Sequence, residues 1–413
     1  MRALTVIPGE SSSIRLDELP APPASDGAVL VRALALGICG TDHEIINGDY
    51  GWAPPGSDRL IIGHESLGVV ECGPEDSGFE RGDLVVGIVR RPDPIPCACC
   101  EIGEWDMCRN GLYTERGIKQ RNGYGAELFR VEPEFLVKID PMLGKRGVLL
   151  EPASVVAKAW EQTLRVGARS AAWQPRIALV TGAGPVGLLA ALMGVQQSLE
   201  VHVFDRAGEG IKPELVRALG ATYHTGDLGN LCPDIVIECT GASSVLLDVI
   251  ARTTPNGIVC LTGVSSGGNA LAFDVGGFNR TVVLENHVVF GSVNANRRHY
   301  AAAARVLTKA DPHWLSRLIT RRVPLVRWRE AFERRDGDVK VVLDFGTEDQ
   351  SWHRASKITQ WSAISARPRL SAAMVRSTGF AGRASIPMPV LPRSSARPNM
   401  VAGNSRHKRR ESA

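Results

Sequence analysis

The stretch that most constrains this chain is Gly182-Ala183-Gly184-Pro185-Val186-Gly187, which matches the pattern G-x-G-x-x-G. An apolar run, Ile177–Thr181, comes directly before it, and an apolar helical run, Leu188–Val195, comes directly after it. Similar strand-like and helix-like runs alternate from about residue 150 onward. Such alternation is typical of right-handed βαβ units, which build a parallel sheet with helices on both faces. We therefore predict an α/β fold with a doubly wound parallel sheet in this part of the chain.

The apolar runs also predict individual elements. The predicted strands of the parallel sheet are Ile177–Thr181, Val201–Phe204, Ile235–Glu238, Ile258–Leu261 and Val288–Phe290. The predicted helices are Gly187–Gln197, Pro213–Leu219, Ser244–Arg252 and Arg297–Thr308. The first 150 residues favour short strands between Gly, Pro and Asp residues instead, namely Met1–Val6, Ala28–Leu36, Leu67–Cys72 and Asp83–Val89. A final strand is predicted at Val339–Phe345.

The glycine loop between a strand and a helix predicts a dinucleotide-binding site. Gly182 permits the tight turn, Gly184 lets the backbone approach a pyrophosphate, and Gly187 allows the helix to pack on the strand. The N–H groups at the start of the helix then face the phosphates. At the end of the next strand, Asp205 favours a free ribose 2′-hydroxyl, whereas the adjacent Arg206 favours a 2′-phosphate. The predicted cofactor is therefore NAD or NADP.

Four residues outside the glycine loop are of the types that bind zinc. Cys39 follows a strand-like run, His64 and Glu65 come about 25 residues later, and Glu151 precedes the predicted parallel sheet. A thiolate, an imidazole and a carboxylate can hold zinc while one position stays open for substrate or water. Each residue alone is more often structural, so the combination with the dinucleotide loop is what predicts a catalytic metal site.

Composition excludes several classes of protein. The chain has 413 residues, of which 44% are hydrophobic and 22% charged, and this is typical of a globular protein. The run Ile177–Val195 contains three glycines and a proline in its first half, which argues against a membrane span. Nine cysteines behind an N-terminus without a signal-like region favour a reducing cytoplasm.

Charge is unevenly distributed along the chain. The total of +4 divides into +9 for residues 347–413, from twelve Lys/Arg and three Asp/Glu, and −5 for residues 1–346. The acidic main part gives no support for nucleic-acid binding. Residues 347–413 are rich in Ser and Pro and poor in apolar residues, which predicts a disordered, low-complexity basic tail. Two interpretations of the tail stay open, a functionless extension and an arm that contacts anionic partners.

Taken together, these motifs resemble those of the zinc-dependent medium-chain dehydrogenases. The motifs are G-I-C-G-T-D at 37–42, G-H-E at 63–65 and G-A-G-P-V-G at 182–187. Within that family the chain is most similar to the glucose (aldose) 1-dehydrogenases. The residues that carry this similarity are Arg90-Arg91-Pro92, Asp106-Met107-Cys108, Tyr113-Thr114-Glu115-Arg116-Gly117, Phe278-Asn279-Arg280 and Gly291-Ser292-Val293-Asn294-Ala295-Asn296.

The resemblance covers about residues 1–346 and implies two domains. A GroES-like, β-rich catalytic domain would occupy 1–155 and be completed by about 297–346. A Rossmann domain that binds NAD(P) would occupy 156–296, and residues 347–413 would form the tail outside both.

The resemblance also implies roles for individual residues. Cys39, His64, Glu65 and Glu151 would hold the catalytic zinc, with the two carboxylates exchanging during turnover. Thr41 would bind the substrate hydroxyl and pass its proton outward, so the catalytic residues would be Thr41, Glu65 and Glu151.

Substrate and cofactor residues follow from the same resemblance. The sugar would be bound by Thr41, Glu115, Glu151 and Asn294. The cofactor would be bound by Gly182, Gly184, Pro185, Val186, Gly187, Asp205, Arg206, Ala207, Thr262, Gly263, Val264, Ser292, Val293 and Asn294.

A cluster of four cysteines predicts a second metal site. Family members with a structural zinc use four cysteines spaced x2, x2 and x7. Cys97, Cys100 and Cys108 match the last three, while Pro94 occupies the first position. Cys99 is the remaining candidate, although adjacent ligands would strain a tetrahedral site. A bound structural zinc and a lobe without metal both stay open.

The activity implied by the resemblance is zinc-dependent oxidation of an aldose, glucose first, at C1 to the lactone, with hydride transfer to NAD(P)+. One alternative is a polyol, alcohol or threonine dehydrogenase of the same family, and another is a non-catalytic NAD(P)-binding protein. The expected partner is a small sugar, without membrane or nucleic acid. Family members are usually dimers or tetramers, which implies a homodimer or homotetramer.

Overall fold

The structure is a computed structural model, and it describes residues 1–265 and 272–346. The tail predicted at 347–413 lies outside the described residues. Within the described ranges, every helix is too short or too polar to cross a lipid bilayer.

Short strands dominate the first 140 residues. They are β1 (Arg2–Val6), β2 (Arg15–Glu18), β3 (Val29–Gly37), β4 (Leu60–Ile61), β5 (Glu65–Cys72), β6 (Leu84–Gly87), β7 (Arg90–Arg91), β8 (Thr114–Arg116), β9 (Gln120–Arg121), β10 (Leu128–Val131) and β11 (Leu136–Lys138). The α-helices in this part are α1 (Gly40–Asn47) and α2 (Ala98–Glu101). Short 3-10 helices lie at Ala24–Asp26, Glu75–Ser77, Trp105–Met107, Pro133–Phe135 and Pro141–Leu149.

From Leu150 onward, helices and strands alternate. The helices are α3 (Leu150–Gly167), α4 (Pro185–Gln196), α5 (Ile211–Ala218), α6 (Ser243–Arg252), α7 (Val275–Leu284), α8 (Arg297–Lys309) and α9 (Pro312–Leu318). The strands are β12 (Ile177–Thr181), β13 (Glu200–Phe204), β14 (Thr222–His224), β15 (Ile235–Glu238), β16 (Ile258–Leu261), β17 (Val288–Gly291), β18 (Ile319–Pro324) and β19 (Lys340–Asp344). A further 3-10 helix spans Leu325–Phe332. The bounds of all elements predicted from the sequence agree within two residues.

Six parallel strands form the sheet that the glycine loop predicts. Their order is β14-β13-β12-β15-β16-β17, with the chain moving outward from β12 in both directions. The glycine loop joins β12 to α4, so it lies at the carboxyl edge of the sheet where the strand order reverses. This confirms the doubly wound α/β prediction and places the cofactor loop where such sheets bind their ligands.

A mixed sheet combines strands from both ends of the described chain. Its order is β11-β6-β5-β3-β19-β18, and β10 also pairs with β3. The end of β3 is paired on both sides, because Gly37 lies opposite Glu65 of β5 and opposite Val342 of β19. Residues from three distant parts of the sequence therefore meet at one end of β3. The domain bounds 1–155, 156–296 and 297–346 stay predictions.

Helix α3 lies at the centre of the core, and the sequence did not predict it. Leu150, Val156 and Trp160 are buried in a hydrophobic cluster that also includes Val31 of the mixed sheet and Val180 of the parallel sheet. The Trp160 indole N–H donates to the Ala190 carbonyl of α4 at 3.2 Å. Full burial of each large apolar side chain contributes about 1.5–3 kcal/mol, so α3 stabilises both sheets together.

A substitution at Gly187, the third glycine of the dinucleotide loop, tests how closely helix α4 packs on that loop. A Cβ atom at Gly187 would lie 1.8 Å from the Gly182 carbonyl oxygen, whereas one at Gly184 would meet nothing within 4 Å. We expect Gly187→Ala to lower the free energy of unfolding by about 1–3 kcal/mol through overpacking. Gly184→Ala, with a φ of −81°, should leave the urea unfolding midpoint unchanged. Equal midpoints for the two variants would contradict this packing.

Candidate active site and metal centres

Three of the predicted zinc ligands meet at the paired end of β3. Cys39 lies just after β3 and is the N-cap residue of α1, while His64 precedes Glu65, the first residue of β5. The Cys39 thiol, an imidazole nitrogen of His64 and a carboxylate oxygen of Glu65 lie within 4.8 Å of one another. This combination of sulfur, nitrogen and oxygen donors, with His64 and Glu65 buried, fits zinc.

Asp42, which is not among the predicted site residues, connects Cys39 to His64. The Asp42 carboxylate is fully buried and accepts the Cys39 backbone N–H at 2.9 Å. Its other oxygen lies 3.4 Å from His64 Nδ1. Burial alone would lower the pKa of His64, but the charge of Asp42 raises that pKa well above its usual value. Histidine ligands commonly turn their second nitrogen to a carboxylate, so Asp42 leaves Nε2 of His64 available to a metal.

Lys340 provides the counter-charge of Glu65, and it is also absent from the predicted set. Its side chain is 2% exposed, and the ammonium donates to Glu65 Oε1 at 2.6 Å and to the Ile38 carbonyl at 3.0 Å. Burial would lower the pKa of Lys340, but the Glu65 charge raises it. The available signal was a single lysine inside the apolar run Val339–Phe345. Glu65 is therefore shared between the ligand cluster and Lys340.

Glu151 and Thr41 lie beside this cluster without joining it. Glu151 is the second residue of α3 and is buried, and this burial raises its pKa to about 7. The charges of His64, Glu65 and Lys340 act on it, although its carboxylate is outside the set of atoms within 4.8 Å. Thr41 is half-buried at the second position of α1. Their roles as ligand and proton relay stay predictions.

Glu115 and Asn294, 179 residues apart, form a direct contact. The Asn294 side-chain amide donates to Glu115 Oε1 at 2.8 Å, and the Arg90 guanidinium donates to the same oxygen at 3.0 Å. Arg90 and Glu115 are paired residues of β7 and β8, and both side chains are buried. The two residues predicted to bind the sugar are thus brought together. Arg90, although part of the motif, is a contact that the sequence did not predict.

The chain just after Glu115 packs directly against Gly63, the residue before the predicted ligand His64. A Cβ atom at Gly117 would lie 2.4 Å from the Gly63 carbonyl oxygen, so the two backbones are in close contact. The Tyr124 N–H also donates to the Gly63 oxygen, at 2.9 Å. Since Gly63 precedes His64, the chain two residues after Glu115 lies against the chain directly before a predicted ligand.

At the dinucleotide loop, Asp205 is tied to the backbone. Its carboxylate accepts the N–H of Ala183 at 2.6 Å and that of Ala207 at 3.0 Å, and Lys212 Nζ lies 3.6 Å away. Burial would raise the pKa of Asp205, but these two N–H donors lower it. Its negative charge is therefore partly offset by backbone dipoles and by Lys212.

A cleft of about 520 Å³ is lined by Cys39 and Glu65 of the ligand cluster. The same cleft is lined by residues of the dinucleotide loop and the predicted ribose site, namely Pro185, Val186, Arg206 and Lys212. The predicted nicotinamide loops, Thr262-Gly263-Val264 and Ser292-Val293-Asn294, follow β16 and β17 at the carboxyl edge of the sheet. The Ser292 N–H donates to the carbonyl of Leu261, the last residue of β16, at 2.9 Å.

Comparisons with known proteins agree with this arrangement. A family model described as alcohol dehydrogenase GroES-like domain matches residues 25–141, and one described as glucose dehydrogenase C-terminus matches residues 144–345. The glucose 1-dehydrogenase of Methanocella arvoryzae is 42% identical over 361 residues, which cover 84% of this chain and 100% of that protein. The chain belongs to the glucose 1-dehydrogenase family of zinc-dependent medium-chain dehydrogenases.

Two other family members support the same assignment. Glucose 1-dehydrogenase 1 of Caldivirga maquilingensis is 40% identical over 83% of this chain and 99% of its own length. Haloferax mediterranei glucose dehydrogenase, solved in complex with NADP, Zn and gluconolactone, superposes with a TM-score of 0.78 at 34% identity. That comparison covers 84% of this chain and 100% of the other. The predicted combination of a GroES-like part with a Rossmann part is confirmed.

The second predicted metal site, the cysteine cluster, brings three cysteines together and not the four that a structural zinc uses in this family. The sulfur atoms of Cys97, Cys100 and Cys108 lie within 4.8 Å of one another, with Cys97 Sγ and Cys100 Sγ 3.7 Å apart. The Arg109 N–H donates to Cys97 Sγ at 3.3 Å, and together with the N–H of Cys100 it lowers the pKa of that thiol to about 6. Cys99 does not join the three. Cys97 precedes α2 and Cys100 lies within it, so their i, i+3 spacing puts them on one face and Cys99 on another.

This geometry predicts which cysteines a structural zinc needs. We expect the wild-type protein to hold two zinc ions per chain and Cys100→Ser to hold one, because a thiolate ligand is lost. Cys99→Ser should still hold two, as should Cys232→Ser, whose cysteine is exposed and distant in sequence. Elemental analysis of the purified proteins measures this. Loss of one zinc in Cys99→Ser, or a single zinc in the wild type, would contradict the three-cysteine site.

Proposed function

We propose that this protein oxidises glucose at C1 to gluconolactone and reduces NAD(P)+, with a zinc ion held by Cys39, His64 and Glu65 and with Glu151 beside it. The observation that carries the proposal is the polar contact between Glu115 and Asn294, on a segment whose Gly117 lies against Gly63, the residue before the predicted ligand His64. A sugar presents several hydroxyl groups, and each buried hydroxyl without a partner costs about 1–3 kcal/mol. Support also comes from the similarity to glucose 1-dehydrogenases and a glucose dehydrogenase, which are 34–42% identical over 83–84% of this chain.

In this mechanism the residues of the chain divide the tasks of binding and proton transfer. Glu115 and Asn294 bind sugar hydroxyls, and the hydrogen bond from Arg90 holds the Glu115 carboxylate in place. Thr41, at the start of α1, accepts the proton of the C1 hydroxyl and passes it outward. Zinc, when bound, supplies a Lewis acid that polarises the C1 oxygen. The loops after β16 and β17 would hold the nicotinamide ring, which would accept the hydride from C1.

The same residues distinguish oxidation of a sugar from the alternative functions. A dehydrogenase for simple alcohols needs an apolar pocket, whereas Glu115, Asn294 and Arg90 are polar or charged groups that favour a substrate with several hydroxyls. A non-catalytic NAD(P)-binding protein has no need for converging ligands such as Cys39 and His64. Polyols carry many hydroxyls as well, so a polyol dehydrogenase is the alternative that only a substrate comparison excludes.

Activity measurements with a loop variant test the sugar assignment. The wild-type protein should reduce NAD(P)+ with glucose and lose that activity on zinc chelation. Asn294→Gly should raise the KM for glucose about tenfold, since a hydrogen bond contributes about 1–1.5 kcal/mol and 1.4 kcal/mol is a factor of ten. Glycine adopts the Asn294 φ of 61° without strain.

The matched control for that variant is Asn256→Gly. Asn256 has a similar φ of 63° and is exposed in the turn before β16, so this variant should behave as the wild type. Turnover of polyols, threonine or simple alcohols without turnover of any aldose would overturn the proposed substrate.

We propose that NADP is accepted as well as NAD. Arg206 and Lys212 line the ribose end of the cleft as cations, and the charge of Asp205 is partly offset. Arg206→Ser should therefore raise the KM for NADP+ about tenfold while changing the KM for NAD+ less than twofold. Arg217→Ser, an exposed substitution on α5, should change neither. Equal effects of Arg206→Ser on both cofactors would contradict a phosphate contact.

For assembly and location we propose a homodimer or homotetramer in the cytoplasm. Strand β17 is an edge of the parallel sheet among the described strands, and Val283 and Leu284 at the end of α7 are each 61% exposed. An unpaired strand edge beside exposed apolar side chains favours pairing with a second copy. The nine cysteines are free thiols in the structure, in keeping with a reducing compartment.

A further inference from the structure

Lys158 of α3 is a buried lysine that the proposed mechanism does not use. Its side chain is 2% exposed, and its ammonium lies 2.8 Å from Asp106 Oδ2, whose side chain is fully buried. The same ammonium donates to the Val293 backbone carbonyl at 2.9 Å. Burying two charges costs several kcal/mol per ion and is often no more stabilising than an apolar pair. Stability alone therefore gives little reason for a lysine at this position.

Asp106 is held by a network that connects three segments. Asn296 donates its side-chain amide to Asp106 Oδ1 at 2.6 Å, and Arg90 donates to the Asp106 carbonyl at 3.3 Å. Burial alone would raise the pKa of Asp106, but the hydrogen bond and charge of Lys158 lower it. His299 lies 3.9 Å from the same carboxylate. The Asp106 carboxylate is thus a fixed anchor for the Lys158 ammonium.

The segment that Lys158 contacts is under backbone strain. Asn294 adopts a φ of 61°, which L-residues rarely occupy and which persists only where neighbouring contacts determine the conformation. The contacts here are Lys158 to the Val293 carbonyl, the Asn294 side chain to Glu115, and the Ala295 N–H to Asn294 Oδ1 at 2.7 Å. Lys158 is the one that fixes the peptide carbonyl directly before the strained residue.

We propose that Lys158 is a positioning residue for the sugar site, which holds the Val293 carbonyl and thereby keeps the Asn294 amide against Glu115. Asp106 supports this role by fixing the ammonium. The proposal rests on the proposed function insofar as Asn294 binds the sugar. It extends the site to a residue of α3 that reaches it through Val293, in one of the predicted nicotinamide loops.

The first experiment removes both charges together. Lys158→Met alone would leave Asp106 buried without its partner and could unfold the protein. The double variant Lys158→Met/Asp106→Asn avoids this and keeps a hydrogen-bonding partner for Asn296. We expect its KM for glucose to rise about tenfold with kcat changed less than threefold and with the zinc content of the wild type. Lys145→Met, which removes a partly exposed ion pair with Asp344, is the matched control.

The second experiment separates positioning from a general effect on stability. Asn294→Gly is combined with the double variant, and the effects on the KM for glucose are compared in a cycle. If Lys158 acts through Asn294, the combined variant should have nearly the KM of Asn294→Gly alone. Additive effects, or an unchanged KM in the double variant, would overturn the proposal.

Hydrogen exchange gives a readout that does not depend on the substrate. The amides of residues 292–296 should exchange at least tenfold faster in Lys158→Met/Asp106→Asn than in the wild type or Lys145→Met. Faster exchange in a protein whose wild type fails to oxidise glucose would reject the proposed function and keep the positioning role. Unchanged exchange would reject the positioning role even if glucose is the substrate.

Discussion

The buried ion pair between Glu65 and Lys340 is the interaction on which the catalytic half depends. It joins the first residue of β5 to the first residue of β19 on the two sides of β3. Without the ammonium, Glu65 would be a buried carboxylate beside Asp42 and Glu151, and their mutual repulsion would oppose closure of the mixed sheet. With it, three acidic groups can surround one imidazole, which is the electrostatic setting that a divalent cation needs.

The parallel sheet could be predicted closely from the sequence because its strands are buried on both faces and form continuous apolar runs. The helix α3 could not, because its run from Leu150 to Gly167 includes Pro152, Glu151 and Lys158 among apolar residues. Glu151 and Lys158 are buried beside charged groups far away in the sequence. Polar residues on the buried face interrupt the apolar stripe from which a helix is usually predicted.

The residues of the candidate site could likewise be predicted only in part from the sequence. Cys39, His64 and Glu65 could be predicted because they lie in short local motifs, and the structure brings them together. Arg90 and Lys340 could not be predicted as site residues. Each joins the site by pairing with a carboxylate, Glu115 or Glu65, that only the fold brings close to it. The cysteine lobe lies between these cases, since spacing revealed the cluster but not that Cys99 lies off the helical face of Cys100.

The position of β19 has a consequence for biosynthesis. Lys340 is 275 residues beyond Glu65, so at about 5–20 residues per second a ribosome needs roughly 15–55 s to make the segment between them. During that interval the early strands of the mixed sheet, such as β3 and β5, have been made, but β19 and the Lys340 ammonium have not. The parallel sheet, whose strands lie close together in sequence, can form earlier. The metal centre is therefore among the last parts of the molecule to become complete on the ribosome.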